Sequence, residues 1–344
     1  MPVVRHGHLA ENIVIVDGQP GCGKTMLSPI IASLDRVELL TYAYELEYIC
    51  AMHYVGAMTA DAAQVMAGML TDLQLYNSMM GREINVRPTD LSSIWRDANP
   101  WRYVKRMFQD GDEKIPARIK EEKPILHLTT HNLLPFSNPL WENLGNRLKF
   151  IEVVRHPLYM IKQQALNMTN ILGDPRDFTI YVDYKGQQLP YYAFEWPEIF
   201  INSNPVEKSI WHMQHLSNKV KAVRSAHQDS IISIPFETFV LNPWGYMQQI
   251  EQALETRVVA KTRQMMKKQR VPRARIEDGL ALKIYKRCGW TPPQANSEEE
   301  EFNIRRNEVA KQVSKNALAV LDAICIEYEE QFLGGKKNIP SRNV

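Results

Sequence analysis

Eight residues near the start of the chain form a pattern that is typical of phosphate binding. Residues 18–25 read GQPGCGKT and match G-x-x-x-x-G-K-[ST]. In such a loop the glycines let successive backbone N–H groups turn inward around an anion. Lys24 adds a mobile positive charge, and the dipole of the helix that follows points at the same place. The pattern therefore predicts a phosphate site, but it leaves the reaction open.

A histidine and an arginine each follow an apolar run farther along the chain. His131 comes shortly after residues 123–128 (KPILHL), and Arg155 comes directly after residues 148–154 (LKFIEVV). A histidine can take up a proton near neutral pH, and a buried arginine needs an anion as its partner. We predict a proton acceptor and an anion ligand here; a capping or solvated loop histidine and a structural ion pair are the alternatives. His127, inside the first run, is expected to be a buried strand residue.

Alternating strands and helices have to position these side chains. Apolar runs typical of short, buried strands occupy residues 13–16, 37–40, 123–128, 148–154 and 230–235. Helical spacing of apolar residues is found at residues 26–35, 44–77 (one or two helices), 157–172 and 244–254. This order predicts a doubly wound α/β fold of the P-loop type, with a mostly parallel sheet flanked by helices. Ligands bind such sheets at the carboxyl ends of the strands.

Two regions lie outside that alternation. Residues 174–205 form an aromatic-rich insertion with a hairpin over a Lys-Gly turn, expected mainly to pack on its own domain. A capping box that begins at Ser297, apolar residues at steps of three, four or seven, and a stop at Gly334 predict one long amphipathic C-terminal helix. We expect a single domain over residues 1–344, with a basic loop and the long helix at residues 257–334.

The near-neutral net charge conceals a strongly basic segment. The chain has 41 Lys and Arg against 39 Asp and Glu, or +2, whereas residues 257–287 hold eleven basic and two acidic residues, or +9. The segment could bind phosphates, bind an anionic acceptor or nucleic acid, or be a solvated helix face. A helix is predicted at residues 260–266, and a Val-Pro pair leaves Arg270, Arg273 and Arg275 on irregular backbone as candidate phosphate ligands. Nucleic acid is not expected, because no aromatic-basic pattern accompanies the patch.

Composition narrows the class of protein. Apolar residues at 44% and charged residues at 23% are those of a globular chain and exclude disordered, collagen-like and coiled-coil classes. Four scattered cysteines without a C-x-x-C pair favour a reducing compartment. With neither a signal-like N-terminal run nor an uninterrupted apolar stretch, a cytoplasmic protein without a membrane anchor is expected.

A kinase or hydrolase that uses Mg-ATP would need an acidic residue at the end of a neighbouring strand. Apolar runs end at Leu128, Val154 and Pro235, and an acidic residue closely follows only the last of them. This residue is Glu237, which lies beyond the proline that ends the run. This weakens the Mg-ATP interpretation and leaves it open.

Four stretches, taken in order, resemble the sulfotransferase family that uses 3′-phosphoadenosine-5′-phosphosulfate (PAPS). They are PGCGKTML at residues 20–27, ILHLTTHNLLP at 125–135, KFIEVVRHPLYMIKQQ at 149–164 and SIISIPFETFVLNPWGYMQQI at 230–250. The resemblance covers roughly residues 13–255. It implies transfer of a sulfuryl group to the hydroxyl or amine of a small-molecule or carbohydrate acceptor, with PAPS as co-substrate and no metal.

The resemblance also implies roles for particular residues. His131 would be the general base, Lys24 would stabilise the leaving phosphate oxygen, Arg155 would bind the 3′-phosphate, and Phe236 would lie against adenine. The donor site as a whole would comprise Gln19, Gly21, Cys22, Gly23, Lys24, Thr25, Met26, Arg155, Gln163, Phe236, Arg270, Arg273 and Arg275.

The chain departs from the family pattern in three places. Gly21 stands where a loop lysine is usual, and Gln163 stands where a serine normally joins the arginine. The three basic-segment arginines replace a glycine-bearing basic loop. As acceptor walls we expect the Met-rich helices near residues 52–80 and the insertion at residues 174–205. The alternatives are a P-loop kinase that uses Mg-ATP on a small molecule and a nucleotide-gated binding module.

Overall fold

A five-stranded parallel sheet forms the centre of the fold. The computed structural model describes residues 1–276, 285–286, 289–291, 293, 295 and 297–334. The strand order is β2-β3-β1-β4-β7, and every neighbouring pair is parallel. The strands are β1 (Ile13–Asp17), β2 (Thr41–Tyr42), β3 (Leu126–Thr129), β4 (Leu148–Val154) and β7 (Ile231–Pro235), and a separate antiparallel hairpin contains β5 (Tyr181–Tyr184) and β6 (Gln187–Pro190).

Helices connect and cover the strands. In chain order, those in the described ranges are α1 (Lys24–Ala32), α2 (Tyr44–Tyr54), α3 (Ala60–Met80), α4 (Pro100–Arg106), α5 (Ile115–Glu122), α6 (Asn138–Leu144), α7 (Pro157–Asn170), α8 (Pro197–Asn202), α9 (Pro205–Ala226), α10 (Phe236–Leu241), α11 (Trp244–Ala253), α12 (Ala260–Lys268), α13 (Glu298–Ala310) and α14 (Lys315–Phe332). None of them is long and apolar enough to span a membrane.

Both faces of the sheet are buried, which explains the uninterrupted apolar runs. In β1, Val14 and Val16 belong to one apolar core with α1, α7 and α11. Ile13 and Ile15 point the other way, into a second core with α2, α3 and α6. The doubly wound α/β fold predicted from the sequence is confirmed. His127 is fully buried in β3, as expected.

The predicted strand at residues 37–40 is misplaced. Val37 makes only an isolated bridge to Ile125, and the strand itself begins at Thr41. The segment between them serves a buried polar cluster. The backbone N–H of Leu39 donates to the Tyr103 hydroxyl at 2.6 Å instead of to a neighbouring strand. A backbone that bonds to side chains in this way cannot also continue the sheet.

The C-terminal segment ends in an 18-residue helix, but the single helix predicted over residues 297–334 is two helices, α13 and α14. Ser314 separates them because its side chain accepts a hydrogen bond from the N–H of Ala317 and starts a new helix. Its own N–H donates to Glu207 of α9 at 2.8 Å. Because this partner is distant along the chain and polar, the spacing of apolar residues gave no sign of the break.

The predicted hairpin in the aromatic-rich insertion is confirmed. Its strands pair from Tyr181 with Pro190 to Tyr184 with Gln187, so Lys185 and Gly186 form the turn. The insertion also has a small apolar cluster of its own, made of Leu189, Ala193, Trp196 and Phe200.

Candidate active site

The phosphate loop occupies the turn between β1 and α1, and its shape depends on glycine. Gly21 and Gly23 have φ angles of 92° and 110°, which residues with a side chain rarely adopt. At Gly23 space is lacking as well, because an added Cβ would lie 2.7 Å from Cε2 of Phe236 and closer still to Cδ2. The loop therefore lies directly against the aromatic ring that begins α10.

Lys24 is the first residue of α1 and is 7% exposed. Its ammonium group donates a hydrogen bond to the carbonyl oxygen of Gly18, across the loop. Cys22 is buried beneath the loop, and burial raises the pKa of its thiol. Thr25 is exposed. The loop thus presents one buried cation and a neutral cysteine.

Helix α7 supports the loop from the side. The Gln164 side chain donates to Oε1 of Gln19 at 2.9 Å and to the carbonyl of Pro20 at 3.4 Å. Gln163 lies beside Gly21, where an added Cβ would be 3.1 Å from its Oε1. Because α7 starts directly after the end of β4, the sheet fixes the helix and the helix fixes the loop.

Arg155 lies between β4 and α7, and it is only 3% exposed. Its guanidinium carbon is 4.7 Å from the centroid of the Tyr159 ring and 4.3 Å from that of Phe236. One guanidinium N–H donates to the carbonyl of Gly21 at 3.2 Å. These contacts hold a positive charge beside the loop at low solvent exposure, where it interacts strongly with an anion.

Phe236 supports two cations. The guanidinium of Arg273 lies 5.5 Å from its ring centroid, in addition to that of Arg155. The backbone N–H of Arg273 donates to the carbonyl of Val240 at 2.7 Å, which fixes this part of the basic segment against α10. With 3% exposure, the ring supports these groups and offers little open surface for adenine stacking. Arg270 and Arg275 are exposed.

These groups surround a cavity of about 360 Å³, which we call the loop cavity. Three cations, Lys24, Arg155 and Arg273, line it, and none of the described residues in its wall has a carboxylate. Its full lining is Gln19, Pro20, Gly21, Gly23, Lys24, Thr25, Met26, His131, Arg155, Gln163, Asn167, Phe236, Gln269 and Arg273. Of the residues predicted for the donor site, Cys22, Arg270 and Arg275 are not in this lining.

The His131 loop is held by a carboxylate at the end of β1. Asp17 is 1% exposed and accepts hydrogen bonds from the Thr130 hydroxyl at 2.8 Å and from the N–H groups of Leu133 at 3.2 Å and Leu134 at 2.9 Å. Asp17 immediately precedes the phosphate loop. One strand end thus sets the positions of both the loop and the histidine.

Glu47 of α2 orients the His131 side chain. Its Oε1 accepts from the His131 backbone N–H at 2.8 Å and lies 3.3 Å from Nδ1 of the imidazole. The ring also stacks with Tyr42 and Tyr44 at centroid distances of 6.2 and 6.0 Å. With Nδ1 donating to the carboxylate, Nε2 is the nitrogen left to accept a proton.

A second cavity of about 370 Å³, the aromatic cavity, adjoins the loop cavity. Pro20, His131 and Asn167 line both. The remaining walls come from α2, the His131 loop, α7 with the two residues after it, α9 and the insertion: Tyr44, Glu47, Tyr48, Ala51, Asn132, Gln164, Met168, Ile171, Leu172, Arg176, Asp177, Phe178, Thr179, Ile180, Tyr191, Tyr192 and His212. The insertion, one of the two predicted acceptor walls, forms part of the wall of this cavity, whereas residues 52–80 do not line it, because α3 packs against α6 and α2.

Sequence reasoning missed three residues of this site. Asp17 could have been found, because it ends a strand directly before the loop. Glu47 and Gln164 have no signal in the sequence, because each acts through a partner that is distant along the chain.

Glu237, the one candidate magnesium ligand, accepts hydrogen bonds from the N–H of His156 at 3.0 Å and from a tyrosine hydroxyl. The described residues include no group of three or more His, Cys, Asp or Glu arranged to hold a metal ion.

No protein-family model matches the chain, and no curated protein matches its sequence. Several solved structures are similar to it. The sulfotransferase domain from the curacin biosynthetic pathway has 12% sequence identity and a TM-score of 0.43, over 88% of this chain and 99% of that one. The sulfotransferase domain of the Synechococcus PCC 7002 olefin synthase has 14% identity and a TM-score of 0.42, over 90% and 98%. A Mycobacterium avium sulfotransferase has 12% sequence identity and a TM-score of 0.42, and the match covers 94% of this chain and 77% of that one.

These neighbours are sulfotransferases, the class that the sequence motifs indicate. At these TM-scores and sequence identities, structural similarity does not by itself support a function. The function has to be argued from the two cavities.

Proposed function

We propose that this chain is a sulfotransferase that moves the sulfuryl group of PAPS to a hydroxyl or amine of a small-molecule acceptor. One observation carries the proposal: His131 lies in the shared wall of a cationic cavity and an aromatic cavity. A general base between an anion site and an apolar site is what group transfer from a polyanionic donor to an organic acceptor requires.

The loop cavity suits the donor because of its charge. PAPS carries negative charge at both ends of its ribose, on the 5′-phosphosulfate and on the 3′-phosphate. The backbone N–H groups of the loop and Lys24 would bind the former, and Arg155 would bind the latter with Arg273 nearby. Gln163 can add one amide hydrogen bond. Three positive charges, with no carboxylate among the described residues of the wall, favour a ligand of high negative charge.

The reaction follows from these positions. The acceptor hydroxyl in the aromatic cavity attacks the sulfur while its proton passes to Nε2 of His131. A new S–O bond forms, the bond between sulfur and the bridging phosphate oxygen breaks, and adenosine 3′,5′-bisphosphate leaves. The ammonium group of Lys24 stabilises the negative charge that develops on that oxygen. Glu47 stabilises the imidazolium by accepting from Nδ1.

A P-loop kinase is the second candidate, because Lys24 and Thr25 complete the sequence pattern of ATP-binding loops. It would need a carboxylate near Thr25 for magnesium. The two acids at the nearest strand ends, Asp17 and Glu237, already accept hydrogen bonds from their own chain. This favours the sulfotransferase.

Calorimetric titration with adenosine 3′,5′-bisphosphate and, separately, with Mg-ATP distinguishes the two candidates. We expect tighter binding of the bisphosphate without added metal. Metal-dependent preference for Mg-ATP would reverse the ranking.

A second assay tests the reaction. The protein is incubated with PAPS and panels of phenols, alcohols and amines, and acceptor-dependent release of adenosine 3′,5′-bisphosphate is measured. His131→Ala should abolish this release while bisphosphate affinity persists, and His8→Ala, at an exposed N-terminal position, should behave like the wild type. Unchanged turnover in His131→Ala would remove His131 from the mechanism. Nucleotide binding without product from any acceptor would favour a nucleotide-gated binding module.

A further inference from the structure

A second histidine lines the aromatic cavity. His212 lies on α9 and is 3% exposed. Its ring centroid is 4.3 Å from that of Tyr192, which lines the same cavity. Within the described chain, neither of its ring nitrogens has a hydrogen-bond partner.

An imidazole in this state is costly. A neutral ring always has one N–H donor and one acceptor nitrogen, and buried polar groups nearly always find partners. A buried donor or acceptor that stays unpaired destabilises the fold, because it has lost its hydrogen bonds to water and gained none within the protein. Burial lowers the pKa of His212 to about 3, so the ring is neutral at physiological pH. The ring therefore has one donor and one acceptor nitrogen, and it carries no positive charge with which to bind an anion.

The charged groups in the same cavity wall are engaged elsewhere. Glu47 accepts from His131, and Arg176 pairs with Asp174 at 2.6 Å. Asp177 accepts from the N–H of Gly173 at 2.9 Å, and from neighbouring groups of its own loop. Arg176 is thus paired with an opposite charge, whereas the carboxylates of Glu47 and Asp177 keep their charge and already accept hydrogen bonds from the chain, which disfavours an anionic ligand.

Much of the remaining surface is apolar or aromatic, with Met168, Ile171, Leu172, Phe178, Ile180 and several tyrosines. The uncharged imidazole of His212 adds a donor and an acceptor to this wall, beside the side-chain oxygens of Asn132 and Gln164, which also have no hydrogen-bond partner in the described chain. Placing a hydrogen-bonding site in an apolar cavity discriminates strongly against ligands that leave it unpaired.

We propose that His212 is a specificity residue of the acceptor site and hydrogen-bonds a second, neutral polar group of the acceptor. The acceptor is then a compact, largely apolar molecule with two polar groups. One is the hydroxyl or amine that reacts beside His131, and the other is an uncharged hydroxyl, carbonyl or amide that binds His212. The assignment of the reacting group rests on the proposed function, whereas the binding preference can be measured without any turnover.

The test uses two pairs of probes that differ by one neutral hydroxyl. They are 4-ethylphenol with 4-(2-hydroxyethyl)phenol, and 6-methyl-2-naphthol with 6-(hydroxymethyl)-2-naphthol. Their dissociation constants are measured by calorimetry on the full chain saturated with adenosine 3′,5′-bisphosphate, and again without nucleotide. The variants are His212→Phe, which keeps the ring contact with Tyr192, and His215→Phe as a matched control. His215 is on the same helix but does not line the cavity; its ring packs on Trp196.

In the wild type and in His215→Phe, we expect the hydroxylated member of at least one pair to bind about fivefold to tenfold more tightly, the effect of one hydrogen bond. In His212→Phe this preference should vanish while the apolar members bind as well as before. An equal preference in His212→Phe, or no preference in the wild type for either pair, overturns the proposal. Preference without sulfuryl transfer would refute the proposed function and leave the role of His212 intact.

Discussion

Replacing Arg155 by methionine removes one buried charge, together with its hydrogen bond to Gly21, and keeps a side chain of similar length. Arg155 is 3% exposed, and its side chain packs on the rings of Tyr159 and Phe236. Methionine is unbranched and of similar length, so Arg155→Met should keep those apolar contacts. What it removes is the guanidinium group in the wall of the loop cavity. The variant therefore isolates the contribution of that charge to ligand binding.

The expected loss is large because the charge is shielded from water. A hydrogen bond to a charged group contributes about 1.5–3 kcal/mol, and a guanidinium can make two to one phosphate. The interactions that Arg155 already makes within the chain, the hydrogen bond to Gly21 among them, reduce the gain from the ligand. We therefore expect a net loss of about 2–4 kcal/mol, or roughly 30-fold to 1,000-fold in the dissociation constant.

Two nucleotides that differ by one phosphate provide the assay. Calorimetric titration compares adenosine 3′,5′-bisphosphate with adenosine 5′-monophosphate on the wild type, on Arg155→Met and on the control Arg275→Met. Arg275 is exposed and outside the cavity lining. The wild type and the control should prefer the bisphosphate by the factor above, and Arg155→Met should bind the two alike. A preference that survives in Arg155→Met, or an equal loss in the control, would refute the assignment of Arg155 to the 3′-phosphate.

Three further changes test other parts of the site. Glu47→Gln removes the carboxylate that orients His131, so kcat should fall about 10-fold to 100-fold with bisphosphate affinity unchanged; an unaltered kcat contradicts this role. Gly23→Ala forces a methyl group onto an aromatic ring at a φ of 110° and should lower the free energy of unfolding in urea by about 2–4 kcal/mol; a loss below about 1 kcal/mol would contradict that packing. Burial lowers the pKa of His127 and His212 to about 3, below the value of about 6.5 in the unfolded chain, so unfolding takes up protons as the pH falls. Each of these two histidines should lower the free energy of unfolding by about 2 kcal/mol as the pH falls from about 7.5 to about 5. If the free energy of unfolding of His212→Phe depends on pH as strongly as that of the wild type, His212 does not contribute in this way.

The parts of the site that the sequence predicts are those with a local cause. The strand, loop and helix around Lys24 follow from glycine spacing and apolar periodicity over some twenty residues. Arg155 could be chosen in the same way, because it directly follows an apolar strand and precedes a helix that starts with proline. In both cases the residues that produce the geometry are neighbours along the chain.

The local sequence does not show which arginine of the basic segment lies in the loop cavity. Arg270, Arg273 and Arg275 are equivalent in charge and nearly so in position, and only Arg273 lies over Phe236 and lines the loop cavity. Its backbone bond to Val240 makes the difference, and that partner belongs to another element.

The sequence by itself determined a parallel α/β sheet, a glycine-rich loop between its first strand and first helix, and a buried arginine, because short-range patterns of glycine, charge and apolar residues specify them. Only the tertiary structure decided that His131 is held by Glu47 and shared between two cavities, and that His212 lies in the wall of the second. The physical reason is that parallel strands bring their carboxyl ends to one edge of the sheet. Side chains more than eighty residues apart meet near that edge, and no pattern along the chain records which of them make contact.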